Sequence, residues 1–262
     1  QADTLLFVEN AGAKMSLFSI FAKTGRSIEE IKLESPKLNL ITGKTGLENW
    51  NIETENKTEQ PGQTTVQNDK TKEPFTLQLE MIEIKNGTLI YNDRKTNMYQ
   101  VFNGVNLNLK GKMYGSSAEL AVNGNAESYS VDYEGVRYIS NVSIATTSKL
   151  NVDYDKMNIS ITENELLLNR LPMQVTGLIK IPSDSIFFDI ALKTKNSDFE
   201  NFLALVPPSY EEYLKNIKTS GSASVSGTVK GLYFEEIYPA VDLKIDVANG
   251  NLKYTGLPEE IK

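Results

Sequence analysis

The chain has 262 residues, a formal net charge of −7 and a sequence pI of about 4.9. That balance excludes a nucleic-acid binder, whose partner demands clustered Lys and Arg. The chain has no Cys and no His. This removes disulfide frameworks, zinc knuckles, thiol nucleophiles and every Ser-His-Asp arrangement.

Paired carboxylates remain open for glycan hydrolysis, but no Asp/Glu pair stands out from the acidic background. We therefore expect a protein that is not an enzyme, with no catalytic residue, no metal ligand and no cofactor. The chain contains no apolar run long enough to cross a membrane, and no signal peptide opens it. It begins inside what reads as a strand, so we take it as a stretch from within a longer protein.

Residues 4–15 read as a strand that loosens at Asn10-Ala11-Gly12. Residues 16–22 carry Leu17, Phe18, Ile20 and Phe21, a run suited to a short helical turn closed by Gly25. Ile31, Leu33, Leu38 and Leu40 then form two period-two pairs either side of Ser35-Pro36. The same pattern returns as Ile82, Ile84, Leu89 and Tyr91 around Asn86-Gly87, and as Ile159, Ile161, Leu166 and Leu168 around Glu163-Asn164. It returns once more as Ile245, Val247, Leu252 and Tyr254 around Asn249-Gly250.

Period two means a strand, since successive side chains point to opposite faces. The five-residue step across each break flips that phase. One extra residue, a β-bulge, returns all four apolar residues to one face. A hairpin at each break is the rival, because Asn-Gly is a strong turn signal; Ser-Pro and Glu-Asn are poor ones. The repeats begin at 31, 82, 159 and 245, so their spacing is irregular and no strict solenoid follows.

Between the repeats, residues 54–74 are polar with Val66 as the one aliphatic side chain, and read as a long mobile loop. Trp50, the single tryptophan, reads as a packed aromatic. Alternating segments follow at Val105-Leu109, Ala118-Val122, Val131-Tyr133, Val142-Ile144, Leu150-Tyr154 and Ile186-Leu192. Closely spaced strands with almost no helix between them predict a meandering antiparallel sheet.

One segment departs from the rule. Near 198–217, two capping boxes, Ser197-Asp198-Phe199-Glu200 and Ser209-Tyr210-Glu211-Glu212, each precede an i, i+3, i+4, i+7 apolar set. We expect two tandem amphipathic helices here, packing Phe199, Phe202, Leu203, Tyr213 and Leu214 against an end or edge of the sheet. The whole of 1–262 is read as a single mainly β region. Its sheet is extended and curled, either as a groove or as a closed sandwich.

Three segments resemble the AsmA-like family of outer-membrane assembly proteins of Gram-negative bacteria. Pro36-Lys37-Leu38-Asn39-Leu40 with Gly46 and Asn49-Trp50 is similar to one family segment. Ile84 to Asp93, with Gly87, Leu89 and Tyr91, resembles the family's "I-x-x-G-x-L-x-Y-x-D" strand. Leu203 to Pro207 with Tyr210, Ser220-Gly221 through Gly231, and Tyr238-Pro239-Ala240 resemble its later helix-then-strand region.

The resemblance implies a periplasmic region anchored in the inner membrane by a segment not in this sequence. It also implies a role in outer-membrane assembly and lipid homeostasis, with phospholipid held or conducted along an apolar β groove. The partners implied are phospholipid or another envelope lipid, the inner membrane and outer-membrane proteins. Wall candidates for lipid binding are then the sixteen apolar residues of the four repeats. The alternative is a structural or adhesive β module that binds envelope proteins or glycans.

Overall fold

The structure is a computed structural model describing residues 4–15, 28–50, 80–114, 116–182, 185–234 and 237–255. The expected loop at 54–74 and the apolar run at 16–22 lie outside the described residues. The strands are β1 (Leu6–Phe7), β2 (Asn10–Met15), β3 (Ile28–Glu34), β4 (Lys37–Thr42), β5 (Met81–Asp93), β6 (Met98–Tyr114) and β7 (Ser117–Tyr133). After them come β8 (Val136–Asp153), β9 (Asn158–Leu168), β10 (Leu171–Lys180), β11 (Ile186–Thr194), β12 (Ser197–Asp198), β13 (Ile217–Tyr233) and β14 (Ala240–Tyr254).

All fourteen join one open sheet. From β5 to β11 the order is sequential, and each neighbour pair is antiparallel. The turns explain why. Glu134 and Gly135 both have positive φ, 49° and 79°, the geometry of a two-residue hairpin turn that matches strand twist. Asp93 Oδ1 accepts the backbone N–H groups of Lys95 (2.8 Å) and Thr96 (3.2 Å), fixing the β5–β6 turn.

The sheet is mixed, which corrects the all-antiparallel expectation. β3 and β4 lie end to end, and both pair with β5 in parallel. Parallel partners need a long return connection. The chain between Thr42 and Met81 supplies it, so the polar stretch has a topological use that its composition alone does not reveal.

The helical segment forms, but shorter than predicted. α1 (Phe199–Leu203), a 3₁₀ turn (Pro208–Tyr210) and α2 (Glu211–Leu214) replace two longer helices, and Ile217 already belongs to β13. The first capping box does not close. Asp198 makes no side-chain cap, and Ser197 Oγ accepts from the Asn201 side chain at 2.8 Å instead.

α1 rests on β13 and the 3₁₀ turn rests on β8, beside the stretch of β8 that β9 leaves unpaired before Ile144. Asn169, in the β9–β10 turn, ties the two together by donating to the Ala204 carbonyl (3.2 Å). Phe199, Phe202, Leu203 and Leu214 are half-buried. Tyr213 faces water at 72% exposure, against expectation, because α2 ends after one turn and its outer side has nothing to meet.

These exposures rank two substitutions. Leu203→Ala should cost about 1–2 kcal/mol, below the range for a fully buried leucine. Tyr213→Ala should stay within about 0.5 kcal/mol. Urea unfolding midpoints of the two variants, with unchanged slope, would check the ranking.

Candidate functional site

The candidate site is one entire face of the sheet. Cross-strand partners share a face, so the register gives its rows directly. One row runs Ile31, Ile82, Leu109, Val122, Ser148, Asn164. The next runs Leu33, Ile84, Leu107, Gly124, Thr146, Leu166, Met173. Beyond the bulges, Leu38, Leu89, Phe102, Tyr129 and Val142 form another row. Leu120, Leu150, Ile161, Gly177, Ile190, Val229 and Val241 cross from β7 to β14.

All four repeats lie on this face, and each runs through its break without turning back; the hairpin alternative does not form. In β5, Ile84 is opposite Leu107 and Gly87 opposite Val105. The step from 84 to 87 therefore holds one extra residue, and Asn86 takes a φ of 52° to accommodate it. β14 does the same at Asn249, with a φ of 53°. β3 and β4 follow the β5 bulge in parallel. Ser35 (φ 49°) donates to the Lys85 carbonyl at 2.8 Å, and Thr88 donates to the Pro36 carbonyl at 2.7 Å.

The β9 bulge sits one residue earlier than the predicted Glu163-Asn164. Thr162 is the extra residue, with Ile161 opposite Leu150 and Glu163 opposite Lys149. Asn164 thereby lands on the apolar face and bonds three strands together. Its amide donates to Thr146 Oγ1 (3.1 Å) and Ser148 Oγ (2.6 Å), and its Oδ1 accepts the Val175 N–H (3.1 Å). A sequence signal for this was available, since Asn164 stands two residues before Leu166 and so shares the period-two phase of Leu166 and Leu168.

Between strand ends, the face carries no charged side chain among the described residues. Glu29 and Asp93, at the margins of β3 and β5, are the charges in its phase. The reverse face is the opposite in character. Lys32, Glu83, Asn108, Asn123, Thr147 and Glu165 are paired in one row there. Lys149–Glu163 (2.8 Å) and Lys230–Asp189 (3.1 Å) bridge neighbouring strands on that side. Such exposed pairs contribute little stability; their effect is to keep that side wet.

The apolar face is not a closed core. Among the described residues the buried hydrophobic ones are Ala118, Ala126, Val142, Leu171 and Ala223, all on this face, and no large side chain is fully buried. Most of the wall is half-buried, and β14 is the most open, with Ile245 63% exposed. A sandwich would have a second sheet on this face about 10 Å away; all described strands belong to the one sheet.

Aromatic rings gather toward one mouth. Asn49 acts as a substitute strand for β4, its Oδ1 accepting from the Ile41 N–H and its amide donating to the Asn39 carbonyl, both at 2.9 Å. This places Trp50 against Tyr91, with ring centres 6.2 Å apart. Burial pushes the Tyr91 phenol above its ordinary pKa, and a hydrogen bond with Thr42 partly offsets that.

Tyr133 is raised first by the Glu134 carboxylate, then by desolvation, then by the phenols of Tyr238, Tyr233 and Tyr138. The Tyr133–Tyr138 and Tyr233–Tyr238 pairs stand 6.3 and 5.8 Å apart. Deeper in, Phe102 stacks on Tyr129 at 4.1 Å, and the Tyr129 hydroxyl donates to Gln100 at 2.7 Å. None of these rings beyond Tyr91 was among the wall candidates, because Phe102 and Tyr129 sit at irregular spacing next to bulges of their own.

In the β5 bulge Gly87 lies under Pro36. A Cβ there would come within 2.9 Å of Ile84 Cγ2 and 3.3 Å of the Pro36 ring. Gly87→Ala should therefore cost about 1–3 kcal/mol from overpacking. At its counterpart Gly250 a Cβ would meet Val247 Cγ1 alone, at 2.8 Å; that exposed side chain can turn aside, so Gly250→Ala should cost less, about 0.5–1 kcal/mol. Chemical denaturation of both variants measures the difference.

Chemically, the rows of this face are mainly aliphatic and aromatic side chains, with Ser148, Thr146 and Asn164 as a polar group among them. A comparison with curated proteins and a comparison with solved structures each returned no match. The model of the AsmA family matches residues 1–179, which covers β1 to most of β10, including three of the four repeats. The chain belongs to the AsmA family.

Proposed function

We propose that this region holds and conducts envelope lipid, phospholipid above all, along its apolar face, in the periplasm and tethered to the inner membrane through a segment outside this sequence. AsmA membership places the protein broadly among envelope proteins connected with outer-membrane assembly. The lipid reading rests on one observation. A sheet face running from β3 to β14 carries no charge between its ends and has no second sheet over it among the described residues.

The physical argument is direct. Each methylene moved from water onto such a wall gains about 0.8 kcal/mol when fully buried. Half-burial in an open trough gives a fraction of that, enough to spare a chain from water without trapping it. Between its ends the wall is uncharged among the described residues, so acyl chains rather than headgroups are what it would hold. In this reading the protein is not a catalyst. Lipid, the inner membrane and outer-membrane proteins are its partners.

The test uses Ile84→Asp, in the centre of the wall, Leu252→Asp, near its open edge, and Thr147→Asp on the reverse face as control. Purified proteins are loaded with a fluorescent phospholipid from vesicles, and retention and thermal midpoint are read together. Wild type and Thr147→Asp should retain lipid. The two wall variants should stay folded, with midpoints lowered by less than about 10 °C, and should lose most of the retained lipid. A wild type that retains none, with both wall variants unfolded, would give the region to a structural or adhesive role instead.

A further inference from the structure

We infer that the reverse, polar face of the sheet carries a groove for an extended glycan of β-linked N-acetylhexosamine units, lying across β7 to β11. Two hollows of about 450 and 610 Å³ adjoin there and share Thr147, Glu165 and Gln174 in their linings. The first also holds Asn123 and Asn125, and the second Lys193. Small side chains lower the floor, Ala145 in the first hollow and Ala191 in the second. The strands beneath are interior ones, each paired on both sides, so the groove is defined by the middle of the sheet and by no edge or chain end.

The groove differs from its surroundings in what its side chains have to bond with. Elsewhere on this face the charges pair with one another, as Lys32 does with Glu30 (2.9 Å), Lys85 with Glu83 (3.5 Å) and Lys230 with Asp189 (3.1 Å). In the groove, the side chains of Asn125, Glu165, Gln174 and Lys193 make no hydrogen bond or ion pair among the described residues. Gln174 is half-buried, yet its amide is still accessible.

Three features select the ligand. The first is spacing. Asn123, Thr147 and Glu165 are cross-strand partners, and Gln174 pairs with Lys193, so polar groups recur about 4.8 Å apart across the strands. That is close to the length of one sugar unit in an extended β-linked chain, and successive units meet successive strands. The second is the amides of Asn125 and Gln174, which offer donor and acceptor together and match the N–H and carbonyl of an acetamido group. The third is charge. Glu165 and Lys193 cancel, so the groove gives a polyanion no net attraction, while sugar hydroxyls can donate to the one and accept from the other. No aromatic ring lines either hollow, so hydrogen bonds alone hold each sugar and the affinity of a short chain is weak.

The experiment takes the whole chain and reads co-sedimentation with insoluble chitin, with cellulose as the control that lacks acetamido groups, alongside calorimetric titration with chitohexaose. Wild type should sediment with chitin more than with cellulose and bind chitohexaose with a Kd of about 1 mM. Gln174→Ala should weaken the titration about fivefold. Thr147→Asp, which sets a second carboxylate opposite Glu165, should weaken it about tenfold. Lys230→Ala, outside both hollows, should bind as wild type, and circular dichroism melts check that each variant folds. A wild type that leaves chitin unbound and shows no heat with chitohexaose at about 10 mM would overturn the proposal. So would equal retention on cellulose, or groove variants that bind as wild type. Lipid retention is scored separately on the opposite face, and a Thr147→Asp protein that keeps lipid while losing glycan separates the two readings.

Discussion

The phase of a β-strand is the constraint on which this molecule depends. A sheet can have one apolar side only if every strand keeps its side chains in step, and five-residue steps in four repeats would break that step. The extra residue in each repeat restores it, and backbone that tolerates positive φ makes the repair affordable: Asn86, Asn249 and Ser35 take it directly. Asparagine suits this position because its short amide can bond locally while the backbone is left-handed. Its neighbour glycine then leaves room for Ile84 and Pro36 in the first case and for Val247 in the second. The sequence Asn-Gly, usually a place to reverse direction, here serves to continue.

From that constraint follows a division of labour between the two sides. One side collects the aliphatic and aromatic residues of nearly every strand, and the other collects the Lys, Glu, Asn and Thr that alternate with them. Neither side is closed by a second sheet among the described residues, so stability comes from long backbone ladders and half-burial. Interior strands such as β7 and β8 run 17 and 18 residues, about 55–60 Å at 3.3 Å per residue. Long pairings of this kind offset the thin core. They also leave the apolar side available along its length, which a conventional β-sandwich uses up in folding.

The repeats, the sheet class and the position of the helical segment were legible from the amino-acid pattern, because period two and the apolar step of five are local signals. The parallel placement of β3 and β4 against β5 was not. Nothing local in Ile31-Leu33 or Leu38-Leu40 states which way a partner runs, and the deciding feature is the length of chain between Thr42 and Met81. Helix length was overestimated because capping boxes report where a helix can start and not whether its outer face has anything to pack on. Tyr213 shows this, since its i, i+3 pattern was sound and its neighbours were simply water. The aromatic mouth was illegible for a related reason. Tyr91 and Tyr133 lie on β5 and β7 with β6 between them, while Tyr233 lies far along the sheet order on β13, and nothing local in the sequence relates these positions.

The distribution of polar groups within the apolar face bears on how such a surface avoids collapse. Thr146, Ser148 and Asn164 stand together in its middle rows, and their hydrogen bonds are made to one another and to the Val175 backbone. A polar cluster bonded this way commits both amide donors and one of its two hydroxyl donors within itself, so it interrupts the greasiness of the wall at little cost. It also lowers the tendency of two such walls to stick face to face, because the patch gains nothing from losing water. At the margins the restraint is different. The reverse face is charged, and the helical segment at 199–214 covers part of the β8 edge.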